Sequence, residues 1–329
     1  MNITTYLETY QKTLHQTFVN AKNTNNVSHA YLLVGEEGTP LKEVAVHLAK
    51  TLLCDGNAPL ACDNCLTCHR VDSGNYADFF IYDGSESSIK KEDVAEIEKT
   101  FSTTSVEAKG VLIYIVHLVE RMTIEATNAL LKFLEEPGKN IFAFLTTHNE
   151  NIVLPTIKSR SQIVRLNLIK RAELLALLEN SELTNIDKEL LSSFYNLPLL
   201  IEEQSADENY IKLKDVLLDL LDEMATNLKN SYITASKLIP TLRDRYLYRR
   251  LFAYFSLIFK DVVNYRYKQP LLFPALSAQI EKLSAQIKDP LPLIIKTYEV
   301  NDKINANVTI DLLIDELFIN LIKGSNHDS

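Results

Sequence analysis

Apolar residues follow two different rhythms along this chain, and the change comes near Leu166. In the first half, Ala30-Tyr31-Leu32-Leu33-Val34, Val111-Leu112-Ile113-Tyr114-Ile115-Val116 and Ile141-Phe142-Ala143-Phe144-Leu145 are apolar throughout. Strands covered on both faces of a parallel sheet have that character. Phe79-Phe80-Ile81-Tyr82 is a weaker fourth run. The segment Leu41 to Leu53 continues from the first strand with helical spacing, and Ala126, Ala129, Leu130, Phe133 and Leu134 recur at i, i+3, i+4, i+7 and i+8 before Pro137-Gly138 closes the segment. Strand-helix-strand crossovers of this kind predict a parallel α/β domain, whose ligand sites lie at the carboxyl ends of the strands.

Beyond Leu166 the pattern is helix after helix, with breaks around Leu197-Pro198, Ser205-Ala206 and Gln269-Pro270 and no strand-like run. Leu213, Val216, Leu217, Leu220, Leu221 and Met224 form one apolar stripe, and Ile310, Leu313, Ile314, Leu317, Phe318 and Leu321 another. Both read as helix-bundle cores. The tail Gly324-Ser325-Asn326-His327-Asp328-Ser329 is polar and expected to be loose.

Composition adds bounds. A chain of 329 residues exceeds what one core serves and favours two or three domains. A net charge of −9 argues against a protein that coats nucleic acid by itself, because duplex binding relies on Lys and Arg displacing counterions. Arg243, Arg245, Arg249 and Arg250, interleaved with Tyr246 and Tyr248, form a local basic run, read first as a solvated helix face beside a core. No segment approaches the ~20 apolar residues that span a bilayer, and Met1-Asn2-Ile3-Thr4-Thr5-Tyr6 lacks a basic region followed by an apolar one. A cytoplasmic protein without membrane contact is expected.

All four cysteines, Cys54, Cys62, Cys65 and Cys68, fall in one segment with the spacing C-x7-C-x2-C-x2-C. Four thiolates within reach of one tetrahedral ion predict a closed structural Zn²⁺ site with no position left for a catalytic water. The alternative is a chance cluster of unpaired cysteines. His69 is read as a neighbour of the site, not a ligand.

The first strand runs into Gly35-Glu36-Glu37-Gly38-Thr39-Pro40-Leu41-Lys42. A phosphate-binding loop, G-x-x-x-x-G-K-[ST], cradles phosphates with backbone N–H groups, reaches them with Lys and holds Mg²⁺ through a hydroxyl. Here Pro40 replaces the second glycine, Leu41 the lysine and Lys42 the hydroxyl residue. Pro40 removes a donor, and Glu36 and Glu37 bring negative charge to where a triphosphate would lie. Productive ATP binding is not expected. At the end of the third strand, counting the weaker run at 79–82, Val116-His117-Leu118-Val119-Glu120 puts His117 and Leu118 where Mg²⁺-binding acids belong. Alone, the loop is equally compatible with a strand-turn-helix that never bound nucleotide.

His29-Ala30-Tyr31-Leu32, Cys62-Asp63-Asn64-Cys65-Leu66-Thr67-Cys68, Asn128-Ala129-Leu130-Leu131-Lys132-Phe133-Leu134-Glu135-Glu136-Pro137, Leu145-Thr146-Thr147 and Leu154-Pro155-Thr156-Ile157-Lys158-Ser159-Arg160-Ser161-Gln162 together resemble the AAA+ clamp-loader family of bacterial DNA polymerase III. The degraded loop and the zinc module together resemble its delta-prime type. The resemblance implies an AAA+ core at 1–166 with the zinc module at about 54–68, a helical lid at 167–205 and a helical collar for oligomerisation at 206–329, with Ile304-Asn305-Ala306-Asn307-Val308 leading into the last helix. It implies a stator that hydrolyses no ATP itself. The family's Ser-Arg-Cys motif corresponds to Ser159-Arg160-Ser161, so Arg160 is the expected arginine finger, supplied in trans to ATP on a neighbouring tau or gamma subunit. Serine in place of cysteine leaves the guanidinium chemistry intact. Thr146-Thr147 resembles the family's sensor segment, with a structural role expected here. The implied partners are tau/gamma and delta subunits in a hetero-pentameric ring, and indirectly the sliding clamp and primed DNA. The rival readings are an active AAA+ ATPase in which Lys42 replaces the missing lysine, which its ~100° rotation on the helix opposes, and a zinc-dependent adaptor.

Overall fold

A computed structural model describes residues 1–85, 87–93, 105–136, 138–304 and 308–323 of the chain. Pro137, Asn305-Ala306-Asn307 and the polar tail, on which sequence expectations fell, lie outside the described residues.

The described chain divides into two compact units, one formed by Met1–Leu174 with Tyr195–Leu199 and the other by Leu175–Phe194 with Leu200–Ser329. The first unit is built on a parallel sheet of β1 (Ala30–Val34), β2 (Phe79–Asp83), β3 (Leu112–His117), β4 (Ile141–Thr147) and β5 (Gln162–Arg165), in the order β2-β3-β4-β1-β5. Every pairing is parallel, with Ala30 opposite Ala143 and Tyr114 opposite the same residue from the other side. The all-apolar runs of β1, β3 and β4 are the central strands, buried on both faces as their composition requires. No apolar run in the sequence marks β5. Its four residues, Gln162-Ile163-Val164-Arg165, alternate weakly and sit at the sheet edge against β1, where two polar side chains can face water.

Two helices before the sheet were likewise not anticipated: α1 (Ile3–Tyr10), capped by Asn2 accepting from the Thr5 N–H, and α2 (Lys12–Asn23). Tyr6, Leu7, Leu14 and Phe18 are their buried residues, and Phe18 packs its ring on Tyr31 and Phe144 of the sheet. α3 (Leu41–Leu53) follows β1 as expected, with Leu41, Val44, Ala45 and Leu48 in the core. α4 (Leu66–Asp72) carries the last cysteine. α5 (Ile124–Glu135), capped by Thr123, buries Ala126, Leu130 and Leu134 of the expected stripe, and α6 (Pro155–Arg160) is a single short turn of helix that starts at a proline.

The second unit is built of helices joined by short loops, with no named strand among its described residues. Its longest members are α10 (Glu208–Thr226) and α12 (Arg245–Arg266), with α11 (Ser231–Leu238) between them; earlier in the chain come α7 (Arg171–Leu177) and α9 (Pro198–Ser205), each of which begins in the first unit, and α8 (Asn185–Leu191). α13 (Ser277–Gln286), α14 (Leu291–Lys303) and α15 (Ile310–Lys323) complete the order. Both apolar stripes read from the sequence are buried there in one continuous core, Leu217, Leu220 and Leu221 with Phe318 and Leu321 among them. No helix among the described residues is long and apolar enough to cross a membrane.

Candidate functional site

The carboxyl ends of β1, β2, β3 and β4 converge on the loop between β1 and α3. Three of its backbone donors are turned inside the protein: Gly35 N–H to the Thr147 carbonyl (3.2 Å), Thr39 N–H to Glu36 (3.0 Å) and Leu41 N–H to Thr39 (2.7 Å). Pro40 has no N–H to offer. Gly38 takes φ +94°, a conformation that glycine alone adopts without strain, and its carbonyl accepts the Asn196 N–H at 3.0 Å. Leu41, at the position a lysine would hold, is buried in the core at 1% exposure. Glu36 and Glu37 face solvent.

Lys42 turns away from the loop and meets Asp83, at the end of β2, with 2.6 Å between Nζ and Oδ2. Burial pushes the Asp83 carboxyl up, but the hydrogen bonds from Lys42 and Ser85 outweigh it and leave the group below the ordinary aspartate value. In the chain's pattern only the lysine's displacement by one position points to this pair. Beside it, His117 Nδ1 pairs with Thr146 Oγ1 at 2.8 Å, and the same hydroxyl accepts the Leu118 N–H at 2.9 Å. Burial pushes the His117 imidazole down to about 4, so it is neutral near pH 7. Leu118 has φ 62°, a left-handed backbone rare for a bulky residue. His148 Nδ1 donates to the Gly35 carbonyl at 3.0 Å, while its N–H is held by Glu120 at 2.8 Å. Each strand end is thus occupied by contacts the protein makes with itself.

Arg160 ends α6. Its Nη1 donates to the Thr156 carbonyl at 3.1 Å and its Nη2 lies 2.9 Å from Glu135 Oε1, the last residue of α5. A third of its side chain is exposed, so the guanidinium reaches solvent. Ser159 is exposed and Ser161 caps the short helix. In the basic run of α12, Arg250 is drawn over the Phe194 ring at 4.0 Å and donates to the Tyr246 hydroxyl.

The four cysteine sulfurs lie within 4.8 Å of one another. Four sulfurs around one Zn²⁺ at about 2.3 Å would stand about 3.8 Å apart, so the cluster fits such an ion with small adjustments. Backbone donors surround two of the sulfurs, the Gly56 and Cys62 N–H groups pointing at Cys54 Sγ and the Cys68 N–H at Cys65 Sγ, while burial pushes the Cys68 thiol up. Burial works against the Cys65 thiolate, yet backbone donors from Asp55 and Cys68 bring the group down to about 6. A Cβ on Gly56 would stand 2.9 Å from Cys62 Sγ and 3.4 Å from Cys54 Sγ, so only glycine admits this approach. His69 is exposed and outside the sulfur group. The module is tied to α3 through Lys50, 6% exposed, which meets Asp63 at 2.6 Å and Asp72 at 2.8 Å.

A family model described as DNA polymerase III, delta subunit, matches residues 10–170. The DNA polymerase III subunit delta' of Bacillus subtilis is 26% identical over 310 residues, covering 93% of this chain and 94% of the relative. The subunit delta' of Pseudomonas aeruginosa is 35% identical over 136 residues, 40% of this chain and 41% of its own length. Among solved structures, a DNA polymerase III gamma subunit-related protein from Thermotoga maritima shares the fold, with a TM-score of 0.54 over 93% of this chain and 99% of that one at 20% identity.

Proposed function

Because this chain belongs to the delta-prime family of DNA polymerase III clamp-loader subunits, we propose that it acts there as a non-hydrolysing stator whose Arg160 completes an ATP site on a neighbouring tau or gamma subunit. The observation that carries this reading is the closed loop after β1. Gly35, Thr39 and Leu41 direct their N–H groups to Thr147, Glu36 and Thr39, Pro40 has none, Leu41 is in the core and Lys42 is paired with Asp83, so the loop presents no lysine and few free backbone donors to a triphosphate. Arg160, by contrast, keeps its guanidinium at the surface. An arginine supplied in trans stabilises charge developing on the transferring phosphoryl group, an effect worth about 10³ to 10⁵ in rate.

In this reading the core spans 1–166, the lid 167–205 and the collar 206–329, and the chain joins tau/gamma and delta subunits in a hetero-pentameric ring that places a sliding clamp on primed DNA in the cytoplasm. Cys54, Cys62, Cys65 and Cys68 hold a structural Zn²⁺, which supplies a rigid cross-link where the chain has no other.

Two measurements test the assignment. Calorimetry of the isolated chain with Mg·ATP is expected to show no binding; tight binding overturns the loss of the site. In a loader reconstituted with tau/gamma and delta, Arg160→Ala is expected to lower ATP hydrolysis without changing ring assembly or the variant's melting temperature. Unchanged hydrolysis removes the finger.

A further inference from the structure

The contact between Glu135 and Arg160 joins two segments that the sequence places 25 positions apart, and it holds a side chain that would otherwise be free to wander. Arg160 sits at the end of a six-residue helix, which restrains it only at one terminal nitrogen. On that helix the Thr156 carbonyl takes one Nη1 hydrogen at 3.1 Å and the Ser159 hydroxyl stands at 3.5 Å, while on α5 Glu135 Oε1 stands 2.9 Å from Nη2. Acceptors on both terminal nitrogens fix the plane of the guanidinium as well as its position, because the fork is rigid. Nε has no acceptor among the described residues, Nη2 keeps a second hydrogen, and the second Nη1 hydrogen meets only the Ser159 hydroxyl at a long 3.5 Å. The arginine is therefore held without being used up.

We propose that Glu135 is a positioning residue for Arg160, holding the guanidinium in the orientation in which its remaining donors meet the phosphoryl group of a nucleotide on the adjoining subunit. The inference rests on the arginine-finger reading above. Glu135 itself touches no nucleotide in this account; it acts through Arg160, by removing rotamer freedom before the subunits meet. An ion pair half exposed to water contributes little, so the effect is modest and lies in orientation, not in affinity. The alternative, a brake in which Glu135 withholds Arg160, predicts the opposite sign.

The test uses the reconstituted loader carrying Glu135→Ala, Glu135→Gln, Arg160→Ala or the Ala/Ala double variant. Glu135→Ala is expected to lower kcat for ATP hydrolysis by about two- to five-fold, the range an exposed pair spans, with KM for ATP and ring assembly unchanged. Glu135→Gln, which keeps an acceptor oxygen, is expected to recover part of the loss, and the double variant to be no slower than Arg160→Ala alone. A rate unchanged or raised by Glu135→Ala, or losses that add in the double variant, overturn the inference while leaving the finger in place. An Arg160→Ala loader of normal rate overturns the finger reading, and this inference with it.

Discussion

His117 shows how a single residue reports the fate of the strand ends. It stands beside Asp83 in register and beside Lys42, His148 and Glu120, all at the end of the sheet. Burial dominates and holds its imidazole at about 4 in the folded state, against about 6.5 in an unfolded chain. The unfolded state therefore binds the extra proton between those values, so stability is complete above about pH 6.5 and falls as the pH is lowered toward 4. Thermal unfolding followed from pH 7 to pH 4.5 is expected to give a falling melting temperature, and His117→Asn to flatten part of that fall. An unchanged slope in the variant would place the effect elsewhere, with His47, also pushed down to about 4 chiefly by burial, the next residue to test. The identity of His117 was legible in the sequence as a residue standing where an acid belongs. Its partner was not, because Thr146 comes from a strand 29 positions away and only the register of β3 and β4 brings the two together.

At the scale of elements, legibility followed burial. β1, β3, β4, α3 and α5 were visible because continuous apolar runs or a sharp helical stripe mark them, and the structure buries those residues. β5 and the two leading helices were not: a four-residue edge strand is too short for its alternation to stand out, and each of those helices buries only two residues. The cysteine module stands between these cases: its spacing was plain, but its attachment through Lys50 to Asp63 and Asp72 depends on a buried lysine that periodicity alone does not distinguish. Chelation of the proposed Zn²⁺ is expected to remove hydrogen-exchange protection from residues 54–72 first, with β3 and β4 still protected. Simultaneous loss across the whole sheet would show that the module is part of the core's own cooperative unit.

For the whole molecule, the partition into two compact units assigns Leu175–Phe194 and Leu200 onward to one helical body with a continuous core of its own. A fragment of residues 175–329 is expected to retain a cooperative thermal transition and helical circular dichroism; a broad, non-cooperative melt would show that the sheet unit is needed to complete it. The chain's acidic balance, with 43 Asp and Glu against 34 Lys and Arg, leaves nucleic-acid contact to local groups or to other subunits.

The Lys42–Asp83 pair, at 2.6 Å, carries a consequence for supply and demand in the cell. A cation delivered by a bound metal–nucleotide complex comes and goes with the concentration of that complex, and the stability it lends follows mass action. A lysine fixed in the same chain is present at a constant effective concentration whatever the energy state of the cell. Under the proposed function, this subunit keeps one form in feast and famine alike, so any response of the loader to falling ATP must originate in its partners.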